Sequence, residues 1–265
     1  MPGSRLDEIV ENKKREVAFR KEQESTSSLE KRVQHCDQRF LGAINERTKI
    51  NLIAELKPKS PSAGALQQDV SVDDILGAYQ KYASAISVLT DEKYFGGSLQ
   101  LLAHASTTVS CPTLCKDFII DPHQCFEARL SGAGAALLIV KILERRNLFR
   151  LHSIINDLGM VPVVEVQTEE ELDAAVTAGA SVILINNRDL TTFATDLTTT
   201  ERLAPMVPSG KIIISASGIE MRADIDRLQK YCHTFLIGSS LMRADNLEEK
   251  LAELSGRKVI EEQSA

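Results

Sequence analysis

The chain has 265 residues, of which 43% are hydrophobic and 26% are charged, and its formal net charge is −6. A chain of this size can bury a large core, and its acidic balance argues against nucleic acid as a partner, because nucleic-acid binders usually carry a basic stripe. No segment reaches the roughly 18 apolar residues of a membrane-spanning helix, and the charged N-terminus lacks a signal-peptide pattern, so we expect no membrane partner.

The first 50 residues predict a helical extension. Leu6, Ile9, Val10 and Val17 lie near helical spacing with charged residues between them, which is typical of an amphipathic helix. A serine-rich break, ESTSS, separates it from a second short helix over residues 29–33.

From residue 51 onward, a short apolar run ends in polar residues and a helix-like stretch follows, eight times. The runs are rich in Ile, Val and Leu without clean alternation, as in parallel strands covered on both faces. Eight strand–helix units fit one (β/α)8 barrel, which typically takes about 250 residues. We therefore predict a single α/β TIM barrel over residues 51–257, with residues 1–50 as an N-terminal helical extension of the same domain and residues 258–265 as a tail. The extension would either close one end of the barrel or only plug its bottom. The predicted strand runs are 51–58, 85–91, 112–118, 136–141, 162–166, 181–187, 212–218 and 234–241.

Several helices between the strands have recognisable ends. Thr168 and Glu171 have the capping-box spacing, Asp121 precedes a proline at a first helical position, and Ser71 with Asp74 is a weaker signal of the same kind. Further helices are predicted at 98–107, 144–158, 199–206, 220–230 and 245–255.

Polar residues at the strand ends predict the active site, because barrels of this kind carry it at the C-terminal ends of their strands. Glu55 and Lys57 are two residues apart on the first strand and face the same side. Lys116 and Glu165 lie at equivalent heights on other strands and suit a proton donor and acceptor. A structural salt bridge in the barrel mouth is the alternative. The other polar residues at strand ends are Thr90, Asp91, Asp117, Lys141, Asn186, Asn187, Arg188, Ser215, Ser217 and Ser240.

Glycine and serine follow the last two predicted strands, as SASG at 215–218 and IGSS at 237–240. Backbone N–H groups at these two positions bind phosphate in many barrels. Each motif alone also fits a tight turn. Together they predict a small-molecule phosphate ester as the substrate.

The histidines and cysteines give no sign of a metal site. The five histidines have neither HxxxH nor HxH spacing, and no P-loop or dinucleotide fingerprint occurs. Five cysteines without CxxC spacing are typical of reduced thiols in the cytoplasm. We expect a cytoplasmic protein without metal or cofactor.

The motifs at the strand ends resemble one family. IAELKPKSPS (53–62), AISVLTDEKYFGGS (85–98), PTLCKDF (112–118), VVEV (163–166), INNRDL (185–190), SGI (217–219) and IGSSLM (237–242) are similar to indole-3-glycerol-phosphate synthase. The resemblance runs in order through all eight predicted strands and includes the N-terminal extension.

The resemblance implies a carboxy-lyase of tryptophan biosynthesis that uses neither metal nor cofactor. Its substrate is 1-(2-carboxyphenylamino)-1-deoxyribulose 5-phosphate, which undergoes ring closure with loss of carbon dioxide and water. By similarity, Lys116 is the general acid and Glu165 its partner acid or base. Lys57 and Glu55 assist proton transfer, and Asn186 orients the departing hydroxyl.

The same resemblance implies the binding residues. Ser60 and Arg188 would hold anionic or polar parts of the substrate, Phe118 would pack on its aromatic ring, and Ser217 would contact it. Phosphate would bind at Gly218, Gly238 and Ser239. We expect a monomer, with weak association as the alternative.

One departure from the family keeps other functions open. The family usually has glutamate where this chain has Ala216, before Ser217. The chain would then be a paralogue acting on a modified substrate, or an inactive barrel serving as a binding subunit. A lyase or isomerase acting on a sugar phosphate through a Schiff base of Lys57, Lys116 or Lys141 is a further alternative.

Overall fold

The computed structural model describes residues 4–57, 59–60, 64–65, 70–189, 192 and 194–259, of which 59–60 and 64–65 are described only as strands. Its central feature is a closed barrel of eight parallel strands, which confirms the predicted fold. Strands adjacent in the chain pair with each other, and the last pairs with the first. The barrel strands are β1 (Asn51–Leu56), β2 (Ala85–Leu89), β3 (Thr113–Lys116), β4 (Ala135–Ile139), β5 (Val161–Val166), β6 (Val182–Asn186), β7 (Ile212–Ala216) and β8 (Thr234–Ile237).

Each strand has one face inside the barrel and one towards the surrounding helices. In β1, Ile53 packs in the cluster inside the barrel, whereas Leu52, Ala54 and Leu56 pack in the cluster against the helices. Both faces are therefore apolar, and this explains why the strands lack alternation in the sequence. The alternation also places Glu55 inside the barrel, at the end where the strand leaves it.

Helices surround the barrel, and those that the sequence predicts agree with the predicted positions to within a few residues. They are α1 (Arg5–Gln23), α2 (Thr26–Arg32), α3 (Arg39–Ile44), α4 (Val72–Tyr82), α5 (Glu92–Phe95), α6 (Leu99–Thr108), α7 (Pro122–Leu130), α8 (Arg145–Asp157), α9 (Glu169–Thr177), α10 (Thr198–Leu203), α11 (Arg222–Leu228), α12 (Ser239–Met242) and α13 (Leu247–Ser255). The sequence did not predict α3, α5, α12 or a two-stranded hairpin, Lys59–Ser60 with Gly64–Ala65. No helix in the described ranges is long and apolar enough to cross a membrane.

The predicted helix caps are present, with one difference. Asp121 and Gln124 form a reciprocal capping box at the start of α7, and the Ser71 hydroxyl accepts from the Asp74 N–H at 3.1 Å. At α9, Thr168 accepts from the Glu171 N–H at 3.2 Å. The Glu171 carboxylate instead accepts from the N–H of Gln167, one residue before the cap. The reciprocal half of that predicted box is therefore displaced by one residue.

The third helix of the extension closes the N-terminal end of the barrel. Phe40 and Ile44 of α3 are buried. The Ile44 carbonyl accepts from Asn51 Nδ2 at 3.2 Å and from Thr234 Oγ1 at 2.9 Å. Asn51 and Thr234 are the first residues of β1 and β8, so α3 lies beneath the strand starts.

The first helix of the extension lies at the opposite end. Lys93, in α5 beyond the end of β2, donates to Asn12 Oδ1 at 2.9 Å. Lys21 donates to Asp121 Oδ2, beyond β3, at 2.8 Å. The extension therefore contacts both ends of the barrel, and α1 packs on the end where the strands carry their polar residues.

Candidate active site

A cavity opens at the C-terminal ends of the strands. The predicted site residues whose side chains are described all line it, whereas the side chain of Ser60 lies outside the described residues. Those that line the cavity are Glu55, Lys57, Lys116, Phe118, Glu165, Asn186, Arg188, Ser217, Gly218, Gly238 and Ser239.

Strand register brings the polar residues to one level. Lys116 pairs with Leu89, Glu165 pairs with Ile139, and Asn186 pairs with Ala216 across neighbouring strands. These residues end the inward-facing series of their strands and form the top layer of the barrel interior.

The Glu55 carboxylate lies between two lysines. Its Oε1 atom is 3.2 Å from Lys57 Nζ, and its Oε2 atom is 3.8 Å from Lys116 Nζ. Burial alone would raise the pKa of Glu55, but the two lysines outweigh burial and hold that pKa below its usual value. Glu55 is therefore ionised at neutral pH and holds both ammonium groups at the cavity wall.

Glu165 lies in a different electrostatic environment. It is buried, and burial raises its pKa above the ordinary value against the opposing effects of Lys116 and Asn186. Asn186 Nδ2 donates to Glu165 Oε1 at 2.9 Å, and Asn186 Oδ1 accepts from the Arg188 N–H at 3.0 Å. The pKa values of Glu55 and Glu165 are thus displaced in opposite directions, which is how paired carboxylates acquire different acid and base roles.

The turn after β7 is held in a strained conformation. Ser217 has φ +67° and Gly218 has φ +77°, both in the left-handed region. A non-glycine residue in this region costs about 1–3 kcal/mol, and such strain clusters at ligand sites. Asn187 Nδ2 donates to the Ser217 carbonyl at 3.1 Å, and this hydrogen bond helps to hold the turn in place.

The end of β8 approaches β1 closely. A Cβ atom on Gly238 would overlap the carboxylate of Glu55, so Glu55 would have to shift if any other residue stood at this position. Ser239 begins α12, and its hydroxyl accepts from Lys57 Nζ at 3.3 Å. Lys57 and the loops after β7 and β8 therefore line the same part of the cavity.

Two phenylalanines form an aromatic wall of the cavity. The rings of Phe95 and Phe118 have centroids 6.0 Å apart and are tilted by 35°. Phe118 was predicted to contact substrate, whereas Phe95 was missed because it lies on the short helix α5, for which the sequence has no periodic signal. Ile139, Ala216 and Leu236 form an apolar floor, which a search for polar residues also misses.

Three polar residues predicted at the strand ends point elsewhere. Asp91 and Asp117 each lie 2.9 Å from Lys13 Nζ on α1, and Thr90 donates to Asp117 Oδ2 at 2.8 Å. Asp117 follows the inward-facing Lys116 and so faces outward. Lys141 is also misplaced by the sequence prediction, because it is exposed in a 3₁₀ turn after β4 and does not line the cavity.

Asn187 and Ser215, which were also predicted at strand ends, form hydrogen bonds inside the protein and not in the cavity. Asn187 Nδ2 and the Thr200 hydroxyl lie 3.0 and 2.8 Å from Ser215 Oγ. This network ties α10 to β7 below the cavity. Ser240 lines the cavity but donates its hydroxyl to the Ile219 carbonyl at 3.0 Å.

The described residues include no group of three or more histidine, cysteine or carboxylate side chains placed to hold a metal ion. Cys36, Cys111, Cys115, Cys125 and Cys232 are all free thiols. Burial raises the pKa of Cys115 to about 12, so this thiol is not a nucleophile at neutral pH.

Comparison with known proteins gives a consistent result. A family model described as indole-3-glycerol phosphate synthase matches residues 6–254. The chain is 46% identical over 211 residues to an indole-3-glycerol phosphate synthase of Dehalococcoides mccartyi, covering 78% of this chain and 82% of that protein. It is 37% identical over 253 residues to the indole-3-glycerol phosphate synthase of Alkaliphilus metalliredigens, covering 94% of this chain and 97% of that protein.

The chain is also similar to longer proteins. It is 40% identical over 255 residues to the tryptophan biosynthesis protein TrpCF of Vibrio cholerae, covering 96% of this chain and 53% of that protein. The chain thus spans about half of the length of such relatives. Among solved structures, 3-hexulose-6-phosphate synthase superimposes with a TM-score of 0.59 at 14% identity, covering 78% of this chain and 99% of that chain. At this identity the likeness shows the fold alone.

Proposed function

The chain belongs to the indole-3-glycerol phosphate synthase family, and we propose that it converts 1-(2-carboxyphenylamino)-1-deoxyribulose 5-phosphate to indole-3-glycerol phosphate, carbon dioxide and water. One observation carries the proposal: two lysines and two carboxylates with divergent pKa values face a single cavity. Ring closure followed by dehydration needs groups that give and accept protons within one site.

Lys116 acts in the first step. Its ammonium group lies near the ionised Glu55 and faces the cavity. Lysine is normally protonated at neutral pH, so Lys116 can give a proton to the ketone oxygen as the carboxyl-bearing ring carbon attacks the ketone carbon. Carbon dioxide then leaves from that ring carbon, and its bonding electron pair restores the aromatic ring.

Glu165 and Asn186 act in the dehydration. The new hydroxyl leaves as water after it receives a proton. The neighbouring carbon, which is bonded to the nitrogen, then loses a proton, and the double bond of the indole forms. A carboxyl group with a raised pKa can exchange protons near neutral pH more readily than an ordinary one. Asn186 orients the departing hydroxyl, and Lys57 with Glu55 assists the proton transfers.

The remaining walls suit the other parts of this substrate. Phe118 and Phe95 offer ring faces and edges to the planar anthranilate group. Backbone N–H groups near Gly218, Gly238 and Ser239 bind the phosphate. Arg188 and Ser217 contact the remaining polar groups, as does Ser60. We place this reaction in the cytoplasm, on a monomer without metal or cofactor, in keeping with the five free thiols.

Ala216 favours one second candidate, a paralogue acting on a modified substrate. Ala216 is 3% exposed and belongs to the apolar floor of the cavity, where it pairs with Leu236 on the neighbouring strand. Since the family usually has glutamate here, this floor lacks a negative charge that would face the family's substrate.

Indole fluorescence tests the proposed reaction directly. The chain contains no tryptophan, so emission from the indole product is observed against a low background. Addition of the carboxyphenylamino-deoxyribulose phosphate should produce this emission, and no turnover at micromolar protein would sink the proposal. Borohydride added with the keto-substrate should trap no adduct, because the reaction forms no Schiff base.

A further inference from the structure

Lys13 of α1 places a positive charge inside the protein beside the cavity. Its side chain is 1% exposed, and Nζ lies 2.9 Å from both Asp91 Oδ2 and Asp117 Oδ1. Glu16, one turn further along α1, lies 2.8 Å from the same atom but is partly exposed. A buried charge is very costly unless it is paired. The two aspartates therefore hold Lys13 as an ammonium ion, and Lys13 in turn makes their burial tolerable.

Asp117 connects this cluster to the catalytic side of β3. It stands between Lys116 and Phe118, both of which line the cavity. Its Oδ1 atom accepts from the Phe118 N–H at 2.7 Å, and its Oδ2 atom accepts from the Thr90 hydroxyl at 2.8 Å. A displacement of Asp117 would therefore move the general acid and one ring of the aromatic wall together.

Asp91 connects the same cluster to the other ring. It is fully buried, and its Oδ1 atom accepts from the Tyr94 N–H at 2.9 Å, which caps α5. That helix carries Phe95, whose ring packs against Phe118. Lys13 thus joins the loops after β2 and β3 at the point where both bring aromatic side chains to the cavity.

We propose that Lys13 is a positioning residue, which clamps these two loops so that Lys116 and the aromatic wall stand correctly towards the substrate. Lys13 does not itself line the cavity. The inference rests on the proposed function in assigning the wall to the aromatic ring of the substrate. Misplacement of a positioned group by about 1 Å can cost as much as 10²-fold in rate, so a clamp outside the cavity can control catalysis.

A purely structural role is the competing explanation, since Lys13 also fastens α1 to the barrel. Lys21 supplies a matched control. It lies on the same helix and pairs with a barrel aspartate, Asp121, at 2.8 Å, but it is 40% exposed and does not line the cavity. Lys13→Met removes two ion pairs between α1 and the barrel, and Lys21→Met removes one. Only the partners of Lys13 adjoin residues that line the cavity, so only Lys13→Met should act on the site.

The variants are compared by kcat and KM in the indole-fluorescence assay, at a temperature where circular dichroism shows each of them folded. Lys13→Met should lower kcat/KM at least about tenfold, whereas Lys21→Met should stay within about twofold. A lowered melting temperature with unchanged kcat and KM for Lys13→Met would overturn the proposal.

If Lys13→Met does not fold, the variant Asp117→Asn tests the clamp in its place. This change keeps an acceptor for the Phe118 N–H but removes a charge paired with Lys13, so kcat/KM should fall by a smaller factor, and an unchanged value overturns the clamp.

A second readout needs no activity. Because the chain has no tryptophan, Phe95→Trp makes a single fluorescent reporter in the aromatic wall. Adding Lys13→Met to this variant should shift its emission to longer wavelength, and adding Lys21→Met should not. If the unaltered protein shows no turnover, the proposed reaction fails, and the reporter still decides the role of Lys13: equal emission maxima in the two double variants would refute the clamp.

Discussion

The Nζ atom of Lys116 faces the cavity and lies 3.8 Å from Glu55 Oε2, outside hydrogen-bond range. Glu55 is closer to Lys57, at 3.2 Å, so Lys116 makes no hydrogen bond to this carboxylate, as its proposed role as a proton donor requires. The charge state of each group follows from its neighbours: two cations keep Glu55 ionised, while burial raises the pKa of Glu165.

Replacement of Lys116 tests its proposed role as the general acid. Lys116→Met keeps the length of the side chain but removes its proton, so kcat should fall at least about 10²-fold, as is usual for a positioned acid. Lys141→Met is a suitable control, because Lys141 is exposed and does not line the cavity. A near-normal rate for Lys116→Met in the indole assay would remove Lys116 from this role.

Ala216 permits a test in which a substitution is expected to increase kcat. Ala216→Glu restores the carboxylate that the family usually carries at the end of β7, and we expect kcat with the carboxyphenylamino substrate to rise severalfold. Ala216→Gln is the matched control, because it adds nearly the same volume without the charge. If the glutamate variant is unchanged or slower, the apolar floor of Ile139, Ala216 and Leu236 is adapted to the missing charge, and the modified-substrate alternative gains support.

Between elements, the approach of β8 to β1 sets the shape of the site. Gly238 separates β8 from α12, and the space that its side chain would fill is taken by the carboxylate of Glu55. The strand junction therefore fixes Glu55, and through it both lysines, from the side where we propose that phosphate binds.

Gly238→Ala should displace Glu55 and disturb both lysines. We expect kcat/KM to fall at least about tenfold, because displaced catalytic groups lose rate steeply. Gly77→Ala is the control, since a Cβ atom there meets nothing within 4 Å, and α4 should be stabilised slightly by the better helix former. Equal kcat/KM values for the two variants would show that Glu55 can move without consequence.

At the scale of the whole molecule, the site lowers the stability of the barrel that carries it. Glu165 is buried and its pKa is raised, so ionising this group costs more free energy in the folded protein than in the unfolded chain. Active sites often retain such groups at the expense of stability.

Glu165→Gln should make the protein more stable and less active. A carboxyl group whose pKa is raised on folding destabilises the folded state above that pKa, and the effect vanishes below the pKa of the unfolded chain. The gain in melting temperature should therefore be largest near pH 8, at roughly 2–4 °C for each kcal/mol in a chain of this size, and should disappear near pH 4. A gain that is the same at both pH values would contradict a raised pKa for Glu165.

The local pattern of apolar and polar residues was enough to predict the barrel and most of the polar residues that line the cavity. Strands covered on both faces must be apolar throughout, so β1–β8 stand out in the chain, and polar residues such as Lys116 and Glu165 mark their ends. The short helices α3 and α5 have too few residues for a periodic signal, and Phe95 was missed with α5. Lys141 was misplaced because a 3₁₀ turn after β4 exposes it.

The sequence by itself determined the fold, the family and most of the polar residues that line the cavity, because those depend on composition and order along each strand. Only the tertiary structure decided which charges meet. Lys13 looks like one more polar residue on an amphipathic helix, and Asp117 like one more carboxylate at a strand end. Packing α1 on the open end of the barrel brings them to 2.9 Å and removes both from water. Such a pairing depends on distance between remote segments, and no local pattern in the chain encodes that distance.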